Sequence, residues 1–160
     1  MNLYGCDCLN EKLYNDTYNR AYNEYQDSIK ISKEDLTQIL GHWIPLYKYK
    51  ENFYLYFSDC DFNSRGFTVS DSTYIEYYMD GPFPSLILNI EYESNKFEIH
   101  TDRGTKTLIR SESDPNIFVN TSSKGFLIHE KNINEFPLIA ADCHELGAAP
   151  NIDFEQAVIE

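Results

Sequence analysis

Basic residues are scarce in this chain. Thirteen Lys and Arg stand against 26 Asp and Glu among 160 residues, a formal net charge of −13. A field of that sign repels phosphate backbones and anionic lipid, so neither nucleic acid nor a membrane surface is expected as a partner. Long apolar runs are lacking too, and none approaches the roughly 18 residues of a membrane helix. Glycine is thin, at seven residues, and no glycine-rich phosphate loop occurs. The start, Met1 to Cys8, shows neither a basic stretch nor an apolar core, so no secretory leader is read and a cytoplasmic location is expected. No long-period repeat or low-complexity linker divides the chain, and one domain over residues 1–160 is expected. What is present is apolar and aromatic: 42% hydrophobic and 15% aromatic residues, enough for a core and too much for a disordered chain.

Periodicity divides the chain into three parts. Residues 9–40 read as helical. Leu9, Tyr14, Tyr18, Tyr22, Tyr25 and Ile29 recur near the helical period and predict a long N-terminal helix over 9–30. Ser32-Lys33-Glu34-Asp35 resembles a capping box, Leu36, Ile39 and Leu40 form an apolar face, and Gly41 stops this second helix. From Trp43 to residue 130 the period becomes two. Strands are expected at 53–57, 73–79, 86–93, 96–101, 105–111, 116–121 and 125–130, with turns at Ser94-Asn95 and Asp102-Arg103-Gly104. Gly81-Pro82-Phe83-Pro84 reads as a break, because two prolines cannot both serve a ladder interior. Residues 131–160 form an acidic segment, in which Pro137 to Leu146 predicts one short helix ended by Gly147. The expected class is mainly β with flanking helices (α+β), an antiparallel meander closing as a barrel or sandwich.

Leu40-Gly41-His42-Trp43 followed by that meander resembles the lipocalins and the wider calycin group. The resemblance implies an eight-stranded barrel. Trp43 would pack across its closed end, and Gly41 would let the chain turn into the first strand. The family's arginine after the last strand has no counterpart, since nothing basic follows Lys131.

Chemistry is hard to find. Four cysteines, Cys6, Cys8, Cys60 and Cys143, lack zinc-site spacing and read as free thiols, with a disulfide or a metal site as alternatives. Asp59 to Gly66 starts like a calcium loop but has Ser64 where glycine is required and Ser70 where glutamate is required. Asp142-Cys143-His144-Glu145 sets a thiol beside an imidazole, yet helix neighbours point apart. His100 and His129 fall in strands and read as solvent-facing. No catalytic residue, metal ligand or cofactor is assigned, and the chain is not expected to be an enzyme.

Two functions follow. The first is a non-enzymatic acidic module that neutralises a basic protein partner. In acidity and size it resembles the immunity proteins that bacteria keep beside their own toxins, and Asp142, Glu145, Asp153 and Glu155 are the candidate contact residues. The second, implied by the lipocalin resemblance, is a barrel that carries a small apolar ligand, with Tyr54, Tyr56, Tyr74 and Tyr78 as lining candidates.

Overall fold

The structure, a computed structural model, describes residues 23, 37–58, 66–78, 81–141 and 152–157. Ten strands follow one another: β1 (Gly41–Tyr49), β2 (Asn52–Ser58), β3 (Phe67–Val69), β4 (Thr73–Tyr78), β5 (Gly81–Glu93), β6 (Lys96–Thr101), β7 (Gly104–Arg110), β8 (Ile117–Asn120), β9 (Gly125–His129) and β10 (Leu138–Ala141). A 3-10 helix at Glu130–Glu135 joins the last two.

Eight of these strands close a ring. β3 through β9 pair antiparallel in sequence order. β1 joins both ends of that row, through Gly41–Trp43 on β3 and through Trp43–Leu46 on β9. Closure leaves the barrel proper without a free edge. The second half of β1 continues past the ring as a hairpin with β2, turning at Lys50 and Glu51, both at positive φ. β10 then runs parallel to β2. The barrel decides between the two sheet arrangements that the alternating pattern allows.

The two faces of the barrel wall bury different residues. Inside lie Trp43, Phe67, Val69, Tyr74, Ile87, Ile90, Phe97, Ile99, Leu108, Phe118 and Leu127, with Ile39 from the preceding turn. Outside, Leu46, Ile117 and Ile128 pack with Leu55 of β2, flanked by Phe53, Phe126, Ile133 and Phe136. The β2–β10 pair and the 3-10 helix thus cover the outer face of β1, β8 and β9. This follows from strand alternation: Phe118 and Leu127 point in, while Ile117 and Ile128 point out.

Trp43 sets the closed end. It is 1% exposed, its indole N–H donates to the Ile39 carbonyl at 2.8 Å, and its ring stacks on Phe67 and meets Phe118 and His129 edge-on. Gly41 has φ +122°, and a Cβ there would stand 2.5 Å from His129 Nε2. The glycine therefore admits the imidazole that packs on the tryptophan. At Gly66, with φ +94°, a Cβ would collide with the Trp43 carbonyl oxygen.

Several expectations change. Residues 37–39 form a turn rather than the end of a helix. The helix over 9–30 lies outside the described residues, apart from Asn23, which is helical. Leu138–Ala141 is a strand, not part of a helix, because β2 offers it an open ladder edge and Leu55 N–H also bonds the Pro137 carbonyl at 2.9 Å. Gly81 to Pro84 continues β5 instead of breaking it, with Pro82 opposite Tyr77 and Pro84 opposite Ile75. The prolines stand two apart, so their missing donors face one side, and β6 reaches β5 only from Ile87 onward. His129 faces the barrel's closed end instead of solvent.

Candidate functional site

The open end of the barrel holds a cavity of about 400 Å³. Pro45 and Tyr47 of β1, Phe67 of β3, Tyr74 and Tyr78 of β4 and Leu127 of β9 supply its apolar walls. Below it the closed end is filled by the Trp43, Phe97, Phe118 and Leu108 packing.

Polar groups occupy the level between that packing and the mouth. Glu76 of β4 and Lys106 of β7 reach across the interior and pair at 3.0 Å and 3.1 Å through both carboxylate oxygens. Each is about a quarter exposed, so water reaches this level. The Lys106 ammonium also stands 5.5 Å from the centre of the Tyr74 ring. Tyr74 itself is fully buried, and its hydroxyl has no hydrogen-bond partner. Burial first, then the Glu76 carboxylate and Tyr78, pushes this phenol well above the ordinary tyrosine range, so it stays protonated. The rim is aromatic: Tyr78 and Phe83 meet edge-on at 5.4 Å and remain more than a third exposed.

One side of the mouth is walled by the C-terminal segment. Phe154, Glu155 and Gln156 line the cavity. The segment is tied at two points, by Glu155 N–H to the Lys48 carbonyl at 2.9 Å and Ala157 N–H to the Lys124 carbonyl at 3.0 Å. Phe154 lies against Tyr47 and Tyr56, and Lys48 Nζ pairs with Glu155 at 3.1 Å. The lysine hydrogen bond holds the Glu155 carboxyl below its ordinary range, and the carboxylate raises Lys48.

Of the tyrosines proposed as lining, Tyr74 and Tyr78 stand in the cavity wall. Tyr54 and Tyr56 lie on β2, beyond the ring of eight strands; Tyr54 pairs opposite Tyr47, and Tyr56 packs on Tyr47 and Phe154. Of the acidic candidates, Asp153 is exposed and Glu155 is held by Lys48. Asp142 and Glu145 lie outside the described residues, as do all four cysteines, His144 and Asp59 to Arg65. Sequence reading missed Glu76, Lys106 and Phe154. Thirty positions separate the first two, and no local spacing signals that they meet.

A second cluster sits on the outer face of β5 and β6. Donor atoms of Glu91, Glu98 and His100 lie within 4.8 Å of one another. His100 Nδ1 meets the Thr105 hydroxyl at 3.0 Å, and its Nε2 stands 3.5 Å from Glu91. Lys96 already neutralises Glu98 at 3.2 Å. These three side chains are the residues that could hold a divalent metal among those described.

No protein-family model, no curated protein and no solved structure matches the chain. No helix among the described residues is long and apolar enough to cross a membrane.

Proposed function

We propose that the protein is a calycin-like carrier that holds a small, largely apolar ligand in the mouth of its barrel. The observation that carries this reading is the cavity of about 400 Å³, walled by aromatic and aliphatic side chains above a packed floor. That volume suits a small organic molecule, and sites of this kind join apolar walls to a few fixed polar groups. Here Glu76 of the lining, paired with Lys106 behind it, is such a group and orients a ligand that carries a dipole or a hydrogen-bonding head. The exposed Tyr78–Phe83 pair at the rim gives such a ligand an apolar first contact. Among the described lining residues, the cavity's chemistry is that of binding, and the proposed role is non-enzymatic.

The test is native mass spectrometry of the protein purified from its own cells, with Leu127→Trp as the comparison. A bound small mass in the wild type that the cavity-filling variant loses supports the carrier. Identical bare masses, together with equal uptake of an apolar fluorescent probe by both proteins, overturn it.

A second reading is favoured by a different observation. The excess of 13 negative charges coincides with exposed aromatic side chains on β4 and β5, Tyr78, Phe83 and Tyr92, the last beside Glu91 and Glu93. Aromatic anchors within an acidic field suit a basic protein partner, and the immunity-like inhibitor is this second proposal. One stoichiometric basic protein in the same purification, released by salt, would select it.

A further inference from the structure

At the closed end, opposite the mouth, lies a smaller cavity of about 200 Å³. Its walls include Gln38, Trp43, Arg110, Asn116, His129 and Lys131, and none of its lining residues among those described is acidic. That is unusual in a chain where acids outnumber bases two to one. Elsewhere the half-buried lysines are matched: Lys48 with Glu155, Lys96 with Glu98 and Lys106 with Glu76. Arg110 is also half-buried, yet it makes no ion pair with a described residue. Its guanidinium lies 5.1 Å from the centre of the Phe118 ring, and its Nε is buried without a hydrogen-bond partner.

His129 adds shape rather than charge. Its Nε2–H donates to the Leu40 carbonyl at 2.7 Å, and its Nδ1 accepts the Lys131 N–H at 3.2 Å. Both ring nitrogens are thereby used by the neutral imidazole. Carboxylates around this end have partners of their own: Asp114 accepts the Asn116 backbone N–H at 2.8 Å, Glu135 accepts the Asn116 side-chain amide at 3.2 Å, and Glu130 accepts the His42 N–H at 3.4 Å. Arg110 and Lys131 are two cations facing a cavity with no acid among its described lining residues.

A partly desolvated guanidinium without an acceptor is costly, and its planar fork fits two oxygens of one group. We infer that the closed-end cavity binds a small oxyanion, a carboxylate or a phosphate, through Arg110 and Lys131. This site is separate from the mouth and stands whether or not the carrier reading does. The planar fork of the guanidinium, held beside the Phe118 ring, suits a pair of oxygens on one group better than a monatomic anion such as chloride.

Trp43 is the single tryptophan of the chain and lines this cavity, so its fluorescence reports on occupancy. The full chain is titrated with inorganic phosphate and, separately, acetate, each at constant ionic strength against chloride. A saturable change in Trp43 emission is expected with one or both, and the comparison tells phosphate from carboxylate. Arg110→Gln is expected to weaken binding about tenfold or more, the scale of one charge-assisted pair. Lys131→Gln, at an exposed position, is expected to weaken it severalfold without disturbing the fold, and so carries the test if the arginine variant fails to fold. A response no different from chloride, or one that Lys131→Gln leaves unchanged, overturns the assignment.

Discussion

Tyr74→Phe isolates one oxygen atom. The ring stays, and with it the contact to Phe67 at 4.7 Å and the position of Lys106 over its face. Only the buried, unpartnered hydroxyl is removed. A buried polar group left without a partner costs about 1–3 kcal/mol. The void left by a single oxygen returns a few tenths of that, at about 24 cal/mol per Å³ of cavity. The variant is therefore expected to be more stable than the wild type by about 1 kcal/mol or more, which corresponds to a rise in Tm of roughly 2–4 °C for a chain of this size. Urea unfolding at pH 7, followed by Trp43 emission and far-ultraviolet circular dichroism, measures the difference. A loss of about 1 kcal/mol would refute the reasoning, because that is what removing a satisfied hydrogen bond does. The alkaline limb gives an independent check. The folded state holds the Tyr74 proton above the ordinary tyrosine range, while the unfolded chain releases it near pH 10. The wild type should lose stability as the pH rises through about 10, and Tyr74→Phe should lose less of it.

Three further outcomes are expected. Gly66→Ala and Gly81→Ala both place a side chain at positive φ, but only the former meets an obstacle, the Trp43 carbonyl, whereas nothing lies within 4 Å of the latter. Gly81→Ala should cost the conformational strain alone, on the order of 1–3 kcal/mol, and Gly66→Ala clearly more, by urea midpoint. Burial holds the His42 imidazole below its ordinary range, against a smaller opposing pull from Glu130. Its contribution is then complete above about pH 6.5 and declines as the pH falls below it, a slope that His42→Gln should flatten in acid titrations of stability. Ile128→Ala empties a fully buried position between the barrel wall and β2, and should cost about 2–5 kcal/mol by denaturant unfolding.

Local chemistry made the meander legible. Ser94-Asn95 joins Glu93 to its ladder partner Lys96, and Asp102-Arg103 joins Thr101 to Gly104, each as a two-residue hairpin loop. Alternation from Phe97 to Arg110 likewise separates inner from outer residues. The signal fails where a residue's meaning depends on a distant neighbour. Leu138 to Ala141 is a four-residue apolar run, which fits a helix or a strand equally until β2 is seen beside it. Pro82 and Pro84 look forbidden to any strand until β6 is seen to start its pairing at Ile87.

The same limit governs the two cavities. Tyr54, Tyr56, Tyr74 and Tyr78 look alike in sequence, because alternation shows which residues share a face and not which sheet that face belongs to. Closure of β1 on β9 is what sends Tyr74 and Tyr78 into the mouth and leaves Tyr54 and Tyr56 outside the ring. It also brings His129 onto Trp43, in the place where the lipocalin pattern leads one to look for an arginine beyond the last strand. The arginine at this end comes instead from β7, as Arg110 over Phe118, whose ring meets Trp43 at 5.0 Å. Because the imidazole spends both nitrogens on Leu40 and Lys131, the packing on the tryptophan needs no charge from the guanidinium. A positive group that the packing does not use, facing a cavity with no acid among its described lining residues, is thus free to serve a ligand.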